Sequence, residues 1–207
     1  MDRTNYLKKL GETVEPGGRA PAPPPLRLVQ QFLNTHNHEL GPEWDRLRTI
    51  PLARSWLIHH GLLARRARLT ARELAVLHQF RAAVRDLVVG QDAGTAGARR
   101  RRTLNRLGRR ALLRVVLEAG GDSRLEPTGT GVERIMGDIL VILHRAMVDG
   151  SWSRLKACRQ CEWLFFDRSK NRSADWCSMS VCGNRVKNRA YRRKVAAGTT
   201  HQTLTVT

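Results

Sequence analysis

The sequence predicts a mainly α protein: a helical domain with one small β-hairpin, then a small four-cysteine zinc module, treble-clef-like or zinc-ribbon-like, ending in a basic helix. Three observations predict it. Apolar residues recur at helical spacing through most of residues 26–148. One stretch around Gly120-Gly121 instead alternates like paired strands. All four cysteines of the chain, Cys158, Cys161, Cys177 and Cys182, fall close together near its end.

Residues 1–25 contain Gly17-Gly18 and the run Pro21-Ala22-Pro23-Pro24-Pro25. So little apolar surface cannot offset the entropy of ordering, and a flexible Pro/Gly-rich arm is expected. Leu28, Phe32 and Leu33 then open a first helix expected to reach about Leu40, where Gly41-Pro42 stops it. A second helix carries Leu52, Trp56, Leu57 and Leu62-Leu63, with Pro51 suited to its first turn. Thr70-Ala71-Arg72-Glu73 is a capping box, in which each side chain can satisfy a free backbone N–H of the other residue. Behind it Leu74, Leu77, Phe80, Val84 and Leu87-Val88 keep an apolar stripe to about Val89.

Gly90 to Gly97 reads as a loop, and Arg99 to Gly108 as a short basic helix. From Ala111 the β-branched residues and the Gly120-Gly121-Asp122-Ser123 turn favour a hairpin over a continued helix. The last helix of the domain, about Val132 to Val148, has Ile135, Ile139, Ile142-Leu143 and Met147 on its apolar side. The helical domain is thus placed at 26–150, the zinc module at 154–195, and a disordered polar tail at 196–207.

Hydrophobic residues make up 41% of the 207, enough for a core in the larger part. No run approaches the roughly 18–20 apolar residues of a membrane span, and the start lacks a secretory signal's apolar stretch. A soluble, cytoplasmic protein is expected. The net charge of +19 attracts polyanions, nucleic acid first and an anionic membrane surface second. Residues 154–195 hold 12 basic side chains against three acidic ones, so nearly half of the excess sits in about a fifth of the chain.

Cys158 and Cys161 are spaced C-x2-C, Cys177 and Cys182 C-x4-C, with fifteen residues between the pairs. Two such pairs complete the S4 tetrahedron that Zn²⁺ prefers. An iron–sulfur cluster or disulfides are the weaker alternatives. Four thiolates leave no open position, so one structural zinc is expected. Because the module's apolar content is small, metal binding should supply much of its folding free energy. On this view Cys177→Ser unfolds the module and spares the helical domain.

Beyond Cys182, Arg185, Arg189 and Arg192 fall within about 60° of one another on a helix. Such a row can enter a DNA major groove, the guanidinium fork pairing with guanine. Lys187, Arg193 and Lys194 would neutralise phosphates, and Arg168, Lys170 and Arg172 in the inter-cysteine loop would add backbone contacts. Val186 and Ala190 form a small apolar strip suited to packing on the knuckles.

Trp176-Cys177-Ser178-Met179, Cys182-Gly183-Asn184-Arg185 and Phe166-Asp167-Arg168-Ser169-Lys170-Asn171 together resemble the CGNR zinc-finger family, named for the tetrapeptide at 182–185. The two-residue gap between Cys158 and Cys161 is shorter than that family often shows. Phe32-Leu33-Asn34-Thr35, Trp56-Leu57, His60-Gly61-Leu62 and the later hairpin are similar to the helical ABATE domain that usually precedes such a finger. The resemblance implies a bacterial DNA-binding transcription regulator whose amino-terminal domain senses an effector or mediates assembly.

Asn34 and Thr35, polar residues behind an apolar run, are candidates to line a ligand pocket. His36 and His38, and likewise His59 and His60, are not spaced to face one metal on a helix. No catalytic motif is recognisable, so the protein is not expected to be an enzyme. The leading reading is a nucleoid-associated regulator that binds double-stranded DNA, as a homodimer and with a small-molecule effector as possible partners. The alternatives are an RNA- or ribosome-associated binder using the same basic module, and an interaction protein whose charge is incidental.

Overall fold

In a computed structural model, residues 18–37, 39–90 and 95–202 are described. They form six helices and two antiparallel hairpins. Helix α1 spans Leu26–Leu33, α2 Ile50–His59, α3 Ala71–Val89 and α4 Thr95–Gly108. Strands β1 (Leu113–Leu117) and β2 (Ser123–Pro127) follow, then α5 (Gly131–Val148), β3 (Leu155–Ala157), β4 (Leu164–Phe166) and α6 (Asn184–Gln202).

Helices α1, α3 and α5 meet around Phe32, Leu77, Phe80, Val84, Ile135, Met136 and Ile139, all essentially without solvent exposure. Phe32 joins the layers, its ring 6.0 Å from Trp56 on α2 and 6.3 Å from Phe80 on α3. The start of α3 is capped as the sequence requires: the Thr70 hydroxyl accepts from Glu73 N–H, and Glu73 accepts from Thr70 N–H at 2.7 Å. Pro51 sits in the first turn of α2, where its missing N–H costs nothing.

The β1–β2 hairpin pairs Leu113 with Pro127 and Leu117 with Ser123. Its β2 strand lies against α5. A side chain at Gly137 on α5 would place Cβ 2.7 Å from Pro127 Cβ, so only glycine permits this approach. A second hairpin, β3–β4, adds to the one the sequence predicts; its three-residue strands leave too little alternation to read.

Several expectations differ from the structure. Helix α2 stops at His59, before Leu62-Leu63, and α4 begins at Thr95, inside the stretch expected as a loop. Helix α1 ends seven residues before Leu40, because Asn34 and Thr35 turn inward to buried partners. Within the expected flexible arm one point is fixed: Ala22 is buried and its N–H donates to the Gln30 side-chain Oε1 at 2.7 Å, while Gly18, Ala20 and Pro23-Pro24-Pro25 are exposed. Residues 1–17 lie outside the described part. The tail also differs, since α6 continues through Ala196-Ala197 to Gln202. Alanine is the strongest helix former, and extending an existing helix adds one bond per residue fixed. Residues 203–207 are not described. No described helix is long and apolar enough to cross a membrane.

The metal centre and the basic helix

The zinc ligands are gathered by two different local structures. Cys158 and Cys161 flank the tight turn between β3 and β4, in which Glu162 N–H donates to Cys158 O at 2.8 Å and Cys158 N–H to Trp163 O at 2.9 Å. Glu162 takes a left-handed conformation, φ 57°, uncommon for a residue with a side chain. Its carbonyl is held by Arg85 of α3, which also donates to Leu33 O at 3.3 Å. Cys177 and Cys182 come from the turn leading into α6. There the Ser178 hydroxyl accepts from Val181 N–H, and Ser178 O accepts from the N–H groups of Cys182 and Gly183. A knuckle in a hairpin plus a pair at a helix start is the treble-clef-like arrangement.

All four sulfurs are buried and lie within 4.8 Å of one another. Cys161 Sγ is 3.5 Å from Cys177 Sγ, which is 3.6 Å from Cys182 Sγ. A tetrahedron with Zn–S bonds of about 2.3 Å has edges of about 3.8 Å. These two separations are close to that edge, and all four thiols lie within reach of one zinc ion. Packed this closely, the four thiols shift one another's acidities in opposite directions. Hydrogen bonds from Cys161, Cys177 and Cys182 pull Cys158 far down, while contacts led by Cys158 push Cys161 and Cys177 up. Bound zinc would take all four as thiolates, releasing the protons they hold. The donor set fits a structural zinc.

The motif residues around the sulfurs have structural tasks. A Cβ at Gly183 would lie 2.4 Å from Met179 Sδ and 3.3 Å from Trp176 Cδ1, so glycine lets these side chains close over the metal turn. Asn184 Nδ2 donates to Ser180 O at 3.2 Å, tying the first turn of α6 to the ligand loop. Asp167, fully buried, accepts from Lys156 Nζ at 2.9 Å, Ser169 N–H at 2.9 Å and Ala174 N–H at 3.0 Å. Burial would raise its carboxyl pKa, but the Lys156 bond and the two N–H donors outweigh that and hold it at about 2. Asp167 thus organises the inter-cysteine loop, a role that spacing alone did not reveal.

The module shares its core with the helical domain. Leu155, Leu164 and Phe166 belong to the same buried cluster as Phe32 and Phe80. Asn34 mimics a neighbouring strand: its Nδ2 donates to Leu164 O at 2.8 Å, and its Oδ1 accepts from Leu164 N–H at 2.9 Å. Gln30 Nε2 adds a bond to the same carbonyl at 3.2 Å. Arg19 straps the other side, its guanidinium 4.8 Å from the Phe165 ring centroid and donating to Cys177 O and Trp176 O. Asn34 and Thr35 are thus both engaged with partners inside the fold. Thr35 donates to Phe32 O at 2.7 Å and accepts from Arg81, which grips Asp45 with both nitrogens.

Helix α6 stands away from this body. Every residue from Lys187 to Ala196 is exposed, Ala190 included, so the expected apolar strip does not pack on the knuckles. Lys187, Arg189, Arg192, Arg193 and Lys194 project into solvent. Arg185 differs from them: its Nη1 is 3.0 Å from Glu39 Oε1, joining the base of α6 to the helical domain. In the loop, Lys170 is exposed, Arg168 stacks on Phe166 at 5.4 Å and donates to Pro21 O, and Arg172 donates to Ser153 Oγ. Among the described residues the four cysteines form the one cluster able to hold a metal; the His59 and His60 rings meet edge to face, and His38 is not described.

Fold and site together define a helical domain fused to a structural zinc finger. The chain belongs to the ABATE family, described as "Putative stress-induced transcription regulator", whose family model matches residues 26–149. The model of the CGNR zinc finger matches residues 154–195. No curated protein matches the chain.

Proposed function

We propose that the protein is a DNA-binding transcription regulator of the bacterial cytoplasm, associated with the nucleoid, and not an enzyme. The observation that carries this reading is α6: a helix with five exposed basic side chains between Lys187 and Lys194, fixed at its base by the metal turn. At 100° per residue, Arg189, Arg192 and Arg193 share one side, while Lys187 and Lys194 lie roughly opposite. A helix of this kind in a major groove can offer guanidinium groups to base edges, while the lysines on its outer side add sequence-independent attraction to the phosphates. Arg185, engaged with Glu39, serves better as the anchor that sets the helix angle than as a base reader. The four thiolates leave zinc no open position for a substrate or water, which supports a structural and not a catalytic metal.

Competition binding with zinc-loaded full-length protein tests this. Arg189→Ala or Arg192→Ala should narrow the gap between a selected duplex and random duplex, while Lys194→Ala should weaken both about equally and flatten the salt dependence. If neither arginine change alters duplex binding, α6 is not the reading element. Preference for structured RNA over any duplex would favour the RNA-associated alternative.

A further inference from the structure

A cavity of about 390 Å³ lies at the seam between the two family regions, lined by the Asp149–Ser151 turn, Arg154, Phe166, Arg168 and Arg172. Its arginines come from two places: Arg154 from the short turn before β3, and Arg168 and Arg172 from the inter-cysteine loop, at its start and further along. Each is oriented by a neutral acceptor. Arg154 Nη1 donates to Asp167 O and Ser169 O, both at 3.0 Å. Arg168 Nη2 donates to Pro21 O at 2.8 Å with its plane over Phe166, and Arg172 Nη1 to Ser153 Oγ at 2.8 Å. None of the three pairs with a carboxylate among the described residues, whereas Arg81, Arg110, Arg114, Arg124, Arg134, Arg159 and Arg185 all do.

We infer that this seam cavity is a phosphate-binding site, in which Arg154, Arg168 and Arg172 clasp a phosphate group. Each guanidinium has five N–H donors, and the bonds above occupy one nitrogen of each, leaving the others to meet phosphate oxygens. The Asp149 carboxylate at the rim reduces the local charge to a net +2, and it is turned to Ser151 N–H at 2.8 Å. Arg172 takes a left-handed backbone conformation, φ 50°, and its bond to Ser153 Oγ orients the guanidinium. The cavity exceeds a lone phosphate and reaches the lower end of small-ligand sites. The same chemistry serves a phosphorylated small molecule or a phosphate of a nucleic-acid backbone.

Pyrophosphate is the probe, titrated into the zinc-loaded full chain at constant ionic strength, with backbone amide shifts and calorimetry as readouts. Saturable binding is expected, with shifts concentrated at Gly150, Ser151 and Arg172. Arg168→Gln and Arg172→Asn should each weaken it at least tenfold; asparagine tolerates the left-handed turn, so the second variant keeps the loop. If Arg172→Asn also weakens duplex binding and pyrophosphate competes with duplex, the phosphate is a backbone phosphate. If duplex binding is unchanged while pyrophosphate binding is lost, the ligand is a free phosphorylated molecule. The double variant Arg189→Ala/Arg192→Ala should leave pyrophosphate affinity intact whatever it does to DNA, which separates this site from the role of α6. Unsaturable shifts in the unsubstituted protein, or affinity unchanged in both folded single variants, would overturn the assignment.

Discussion

The helical domain and the zinc module hold their shapes by different means. The domain buries Phe32, Phe80, Leu77, Ile135, Met136 and Ile139 in one continuous core, and each buried aliphatic side chain contributes about 1.5–3 kcal/mol. The module's own cluster is four cysteines around Phe165, with Trp163 and Trp176 only partly covered. There the metal replaces area. Yet the boundary is not where composition would draw it, since Leu155, Leu164 and Phe166 of the module lie in the domain's core. The difference teaches that zinc here fixes one wall of the larger core as well as the base of α6.

The sharpest way to test that fusion is to remove the metal. Were the module merely appended, Cys177→Ser or chelation would melt it and leave the helices intact. With a shared core and the Asn34–Leu164 bridge, loss of zinc should lower the melting temperature of the helical domain as well. The whole chain should unfold in a single transition, with binding free energy on the order of 10 kcal/mol at stake. Far-UV circular dichroism before and after chelation checks this. A helical transition left at its original temperature would show that the two regions fold independently.

Much of this was legible in the sequence because the signals are local. The capping box at Thr70 and Glu73, Pro51 in the first turn of α2, the turn at Gly120-Gly121 and the cysteine spacing all act over a few residues. What escaped depends on long-range pairing. Nothing in Phe32-Leu33-Asn34-Thr35 announces that Asn34 meets a strand edge 130 positions later. Arg19 sits in a segment whose composition reads as flexible, yet its partners are carbonyls near Cys177. Arg185 fell into an arginine row by periodicity, while Glu39 could be matched to it only in three dimensions. The Ala196-Ala197 pair that carries α6 onward is a local signal masked by the polar residues that follow.

The bridge itself can be broken without touching the metal. Asn34→Ala leaves Leu164 N–H buried with no partner and weakens the bonding of its carbonyl, at a cost of about 2–4 kcal/mol. Zinc should still bind, because no ligand changes. Urea denaturation combined with zinc stoichiometry distinguishes this from loss of the finger. Unchanged stability would mean that the amide contacts do not join the regions. Gly183→Ala probes the opposite side and should cost about 1–3 kcal/mol, the overpacking penalty for forcing Met179 and Trp176 apart. Its effect should fall on zinc affinity and the onset of α6, with the domain core less affected.

The smallest expected effect belongs to the helical domain alone and is read against pH. His60 lies over the Trp56 ring, with centroids 4.1 Å apart. Burial, then the neighbouring charges of His59, Arg46 and Arg27, lower its pKa from 6.5 to about 4. The unfolded chain therefore binds a proton that the folded chain refuses between those values, and stability rises with pH across that window. The contribution is fully present above about pH 6.5 and is lost progressively as the pH falls toward 4. Partial exposure of the ring keeps the loss modest. His60→Phe, which retains a ring over Trp56 but cannot protonate, should flatten this slope in zinc-saturated protein, while the acid release of zinc by the cysteines persists in both. Denaturation midpoints at pH 7, 6 and 5 supply the comparison. An equal fall in both proteins would assign the acid sensitivity to the metal centre and not to the helical core.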